Sequence, residues 1–87
     1  MNSSALPEFW ACFNRLPPQV QKIALKNFAL WQQDPTLKSL AFKRIKNDLW
    51  SVRAGSGFRA LATFDGGGCL WFWIGTHDEY ERLLRGL

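Results

Sequence analysis

The sequence has a single histidine and only two cysteines, and neither type sits in a ligand-spaced motif. Cys12 and Cys69 stand alone without CxxC spacing, so no tetrahedral metal site is visible and no metal or cofactor is expected. The two thiols can pair or stay reduced; reduced thiols in a cytoplasmic protein are the expectation. Long apolar runs are missing as well. The longest, Cys69 to Ile74, is far short of the ~20 residues that a membrane helix needs, so no membrane partner is expected. The N-terminal MNSSALPEFW has neither a basic n-region nor a long h-region, which argues against a secretory leader. Internal repeats and low-complexity tracts are absent too.

What remains is dense and aromatic: 47% hydrophobic and 15% aromatic in 87 residues. A chain this short buries only about 60–65% of its unfolded surface, so residues 1–87 form one domain with one core.

Two helical stripes open the chain. Leu6, Phe9, Trp10 and Phe13 recur at i, i+3, i+4, i+7, with Pro7 suited to a first turn and Ser3 or Ser4 to a cap. Pro17-Pro18 ends this helix and starts the next. From Pro18 to about Gln33, Val20, Ile23, Ala24, Phe28 and Trp31 repeat the stripe, until Asp34-Pro35 stops it. This is an αα-hairpin. Residues 36–48 read as a linker that packs on the core and contains at most a short strand.

After Asn47-Asp48 the period falls to two. LWSVRA puts Trp50, Val52 and Ala54 on one side, and FRALATF does the same with Phe58, Ala60, Ala62 and Phe64. Gly55-Ser56-Gly57 between them is hairpin-turn chemistry. A second turn, Asp65 to Gly68, leads into CLWFWIG, apolar on both faces and so an interior strand. Alternation there puts Trp71 and Trp73 on one face, with His77 on their side. Leu83, Leu84 and Leu87 in EYERLLRGL predict a short docking helix, with Tyr80 as a second anchor. The expected fold is α+β: an N-terminal helical hairpin on a small twisted antiparallel sheet, plus a short C-terminal helix.

Charge is uneven. From Lys43 to Arg59 the chain carries Lys43, Arg44, Lys46, Arg53 and Arg59 against Asp48 alone. Such a stretch fits an anionic partner, nucleic acid or an acidic protein segment, or an ordinary solvated face. A three-residue hairpin loop pairs Ala54 with Phe58 and sets Arg53 directly opposite Arg59. Like charges so placed repel. A bound phosphate or carboxylate would relieve them, and so would Asp78 or Glu79. His77, delivered to the same rim, is the residue type for acid–base work near neutral pH.

These residues resemble a known family. The helical hairpin, the basic segment, LWSVRAGSGFRAL and WFWIGTHDEYERLL together resemble the RelE/ParE superfamily of type II toxin–antitoxin toxins, from about Phe9 to Leu84. The resemblance implies a cognate antitoxin as partner. In RelE-like members it implies an endoribonuclease that cuts mRNA on the ribosome without a metal, and in ParE-like members a DNA gyrase inhibitor acting by binding. A third expectation is a module that binds its antitoxin but harms nothing. Carried onto this chain, the resemblance gives Arg59 the scissile phosphate, Arg53 a supporting charge, and His77 and Tyr80 the proton-transfer positions. Lys43, Arg44 and Lys46 would track the RNA backbone, and Trp71 or Trp73 could stack an unpaired base. One departure stands out: RelE-like chains begin with a strand, whereas this one is expected to begin with a helix.

Overall fold

The computed structural model describes residues 2–87. A strand comes first after all: β1 (Ser3–Ala5) precedes α1 (Pro7–Asn14) and α2 (Pro18–Gln33). A 3-10 turn at Lys38–Leu40 leads into β2 (Lys43–Lys46), β3 (Leu49–Gly55), β4 (Phe58–Phe64), β5 (Cys69–Thr76) and α3 (His77–Arg85). The five strands form one sheet in the order β1-β5-β4-β3-β2. From β2 onward all pairings are antiparallel, and β1 adds a parallel edge strand against Cys69–Trp71. Three residues are too few to show a period, so β1 has no signature in the sequence. Ser3 therefore does not cap α1. Its hydroxyl accepts a hydrogen bond from Trp71 Nε1 at 2.9 Å, and the N-cap of α1 is Leu6, without a side-chain cap.

The core lies between the helices and one face of the sheet. Val52, Ala54, Ala60, Ala62, Trp71 and Ile74 face Trp31, Phe13 and Ala24. Trp31, 1% exposed, is at its centre and packs its ring against Phe28, Phe42 and Trp71. Three alanines in the strands leave room for these large rings, which is how a small chain reaches interior packing density. The helices do not close over this face. α1 sits on β5 and α2 on β3, leaving an apolar cleft of about 240 Å³ between them, lined by Trp10, Leu25, Phe28 and the sheet. Asn27 ties α2 down by donating to the carbonyl of Ala54 at 3.0 Å.

Three register shifts interrupt the strict alternation of the described strands, the first between Arg44 and Lys46 in β2. In β3 the register slips between Arg53 and Gly55, so Gly55, not Ala54, pairs with Phe58 across a two-residue Ser56-Gly57 turn. Gly57 takes φ 77 there, a conformation that a side chain resists. Arg53 still pairs with Arg59. In β5 the register shifts around Phe72: Ala62 pairs with Trp71 but Leu61 with Trp73. The two tryptophans consequently lie on opposite faces. Trp71 joins the core, and Trp73 points the other way.

The end of the chain also differs from expectation. Leu83 and Leu87 are 46% and 64% exposed, so of the three leucines only Leu84, half-buried, can help to dock α3. Tyr80 docks it, at 4% exposure. Both cysteines are free, Cys12 half-buried and Cys69 buried, and burial pushes the Cys69 thiol up to about 12. No helix among the described residues is long and apolar enough to cross a membrane.

Candidate functional site

The face of the sheet opposite the core carries two rows of side chains, because residues paired across strands share a face. Lys43, Ser51, Leu61 and Trp73 pair in succession from β2 to β5. The next row is Arg53, Arg59 and Gly75. α3 lies across part of this face and lowers Tyr80 between the rows.

Tyr80 organises the cluster. Its hydroxyl donates to Ser51 Oγ at 3.2 Å, and Ser51 is 0% exposed, the one polar or charged residue fully buried among the described residues. The Arg59 guanidinium carbon stands 5.7 Å from the Tyr80 ring centroid, within the ~6 Å range of a cation–π contact. The His77 ring is 5.8 Å from the same ring. One buried tyrosine thus has an arginine and a histidine as neighbours, and its hydroxyl is turned inward.

Arg59 is the unusual member. Its Nη1 is buried and has no hydrogen-bond partner among the described residues. A buried charged donor left unpaired costs several-fold more than an exposed one. Directly opposite stands Arg53, exposed and of like charge. Neither Asp78 nor Glu79 compensates, since no carboxylate lies within ion-pair distance of either arginine among the described residues. Glu79 is committed elsewhere: it accepts from the Thr76 amide at 2.9 Å and the Thr76 hydroxyl at 3.0 Å, while its own amide donates to Thr76 Oγ1. This capping box starts α3. The Thr76 amide and hydroxyl hold the Glu79 carboxyl below its ordinary range.

His77 is the first residue of α3 and is exposed, with Nε2 3.4 Å from Glu81 Oε1 one turn on. Its amide donates to the Gly57 carbonyl at 2.8 Å, which fastens the helix start to the tip of the arginine hairpin. Of the basic segment, Lys43 and Lys46 pair with Ser51 and Leu49 on the face that holds the arginines, whereas Arg44 pairs with Trp50 on the other side. No group of three or more His, Cys, Asp or Glu side chains gathers among the described residues.

Gly75 and Ser51 were not singled out for this site by the sequence, whereas of the two tryptophans expected to be able to stack a base only Trp73 lies on this face. Gly75 is glycine for a steric reason: a Cβ there would come within 2.5 Å of Trp73 Cζ2 and 2.9 Å of Glu79 Oε1. The adjacency of Ser51 to Tyr80 spans 29 positions, a separation that no local pattern records.

No protein-family model matches the chain, and no curated protein matches it. Solved structures do match. The fold is shared with solved RelE and YoeB/ParE toxin structures. Among them, the RelB–RelE antitoxin–toxin complex of Methanococcus jannaschii superposes with a TM-score of 0.71 at 13% identity, covering 91% of this chain and 95% of that one. A YoeB/ParE toxin from Agrobacterium tumefaciens gives 0.68 at 13% identity, with 88% and 99% covered. The isolated RelE toxin of E. coli gives 0.65 at 14% identity, with 99% and 98% covered.

Proposed function

We propose that this protein is the toxin of a type II toxin–antitoxin system, an endoribonuclease that cuts mRNA at the ribosome without a metal ion and is neutralised by a cognate antitoxin. The observation that carries the reading is Arg59: a half-buried arginine whose Nη1 is buried and unpaired, faced by a second arginine, on a fold shared with RelE toxins. Such an arrangement raises the free energy of the empty site and is relieved by an anion, which is the electrostatics that a phosphoryl transition state uses.

In the reaction, the 2′-oxygen of one ribose attacks the adjacent phosphorus while the bond to the 5′-oxygen of the next nucleotide breaks. The products are a 2′,3′-cyclic phosphate and a free 5′-hydroxyl. Arg59 binds a non-bridging oxygen as charge builds on it, and Arg53 adds a second positive charge. His77, exposed and with its ring 5.8 Å from that of Tyr80, transfers the proton, either from the 2′-hydroxyl or to the leaving oxygen; such transfer contributes typically ~10²–10⁴-fold. Tyr80 positions Arg59 through its ring rather than touching the RNA, because its hydroxyl is turned to Ser51. Lys43 and Lys46, on the same face, follow the phosphate backbone, with Arg44 at the strand edge. The antitoxin takes the open side of the molecule, where Trp10, Leu25 and Phe28 line the apolar cleft between the helices.

Induced expression followed by mapping of mRNA 5′ ends tests this directly. The wild-type chain is expected to arrest growth and leave new 5′ ends within codons, and Arg59→Ala and His77→Ala to abolish both with the fold intact. Full toxicity in both variants overturns the nuclease, and inhibition of gyrase supercoiling in a parallel assay would replace it with a binding toxin.

A further inference from the structure

Trp73 is placed as no other tryptophan in the chain. Trp10, Trp31, Trp50 and Trp71 each pack against another aromatic ring, whereas Trp73 has no aromatic neighbour among the described residues. The bulge at Phe72 turns it from the core face, where the alternation of the strand would send it, to the face of Arg59 and Tyr80. Bulges beside functional sites commonly re-aim one side chain in this way. The indole does not stand upright on the sheet. Its Cζ2 and Cη2 atoms lie over Gly75, and Gly75 is the cross-strand partner of Arg59. A ring edge thus reaches into the space beside the arginine that has an unpaired donor. Accessibility comes from the neighbouring edge: β1 ends at Ala5 opposite Trp71, so β5 beyond that point has no strand beside it, and Trp73 is half-buried.

We propose that Trp73 is a base-stacking platform that receives one unpaired nucleobase of the RNA whose phosphate lies on Arg59. The inference rests on the nuclease reading and adds a part of the substrate to it. A flat, partly apolar ring next to a phosphate-binding guanidinium repeats the pairing of base and phosphate within a nucleotide, and diagonal neighbours on adjacent strands, as Trp73 and Arg59 are, stand about 7–8 Å apart, a nucleotide-scale offset. Stacking on an aromatic side chain is available to any base, so the platform sets where the strand lies and discriminates weakly among bases.

The test is an NMR titration of the intact protein with a 2′-O-methyl tetranucleotide, which binds but cannot be cut. Each position of the oligonucleotide is made abasic in turn. The indole N–H signal that is missing in Trp73→Phe identifies Trp73 in the wild-type spectrum. That signal is expected to shift on binding, and one abasic position to weaken binding about tenfold or more. The same abasic position should carry no further penalty in Trp73→Leu and an intermediate one in Trp73→Phe, which also covers the case that the leucine variant does not fold. An equal penalty in wild type and Trp73→Phe overturns the platform, as does a tetranucleotide with no base-dependent position or with no binding at all. The two readings fail separately. Base-dependent binding on Trp73 without mRNA cleavage in cells defeats the nuclease alone, and Arg59-dependent cleavage with a flat abasic series defeats the platform alone.

Discussion

The two faces of the sheet are built from alternate residues of the same strands, yet they follow opposite rules. On the helix-covered face, Val52, Ala60, Ala62, Trp71 and Ile74 meet Trp31 and Phe13, and aromatic rings find one another at every step. On the other face, two arginines stand opposite each other and a serine is sealed under a tyrosine; a buried nitrogen without a partner occurs on both, Trp31 Nε1 in the core and Arg59 Nη1 here. The first face is what a chain of this length needs in order to fold at all. The second tolerates a repulsion between like charges that no folding requirement explains. Departures from local good sense of this kind concentrate at functional sites and are offset by well-packed regions elsewhere.

The largest expected effect lies on the first face. Trp31→Ala should cost about 3–5 kcal/mol, most of the stability of a domain this small, as a urea titration followed by circular dichroism would show. Its opposite number is Arg59→Ala. There the loss should appear as catalysis, about 10²–10³-fold, while stability holds or rises as the repulsion with Arg53 disappears. If Arg59→Ala unfolds the chain, the contrast between the faces is wrong.

Third comes Ser51→Ala, which leaves the Tyr80 hydroxyl buried without an acceptor at a cost of about 1–3 kcal/mol. Adding Tyr80→Phe to it should recover part of that loss, and a double-mutant cycle in denaturant measures the coupling. The smallest effect belongs to Glu79→Gln, below ~1 kcal/mol for so exposed a group. Because folding lowers the Glu79 carboxyl, its contribution is present above the ordinary glutamate range and fades as pH falls through the folded value. The deficit of Glu79→Gln should therefore be visible at neutral pH and vanish in acid. A deficit that persists in acid would assign it to packing instead of charge.

Much of this arrangement was legible in the order of residues, and the rest was hidden for identifiable reasons. Helical stripes in α1 and α2 and the alternation in β3 and β4 carry strong periods, so the covering of one face by helices could be read directly. The opposition of Arg53 and Arg59 followed from a short turn between alternating strands, even though the loop has two residues where three were expected. β5 was different. A strand that is apolar on both faces leaves no contrast from which to detect a bulge, so the parting of Trp71 and Trp73 was invisible. β1 was too short to register, and its parallel pairing with residues some 66 positions later depends on tertiary closure. Leu83 and Leu87 misled because their period fits docking, while Tyr80 reaches the sheet and Leu84 alone of the leucines is half-buried.

The hydrogen bond from the His77 amide to the Gly57 carbonyl joins the tip of the arginine hairpin to the root of the last helix. Both partners are main-chain atoms. Ordinary replacement of side chains can rewrite either segment without cutting that tether; only proline at position 77 removes the N–H outright. The separation between imidazole and guanidinium is thereby entrusted to the polymer itself, a form of memory that outlasts the letters of the sequence.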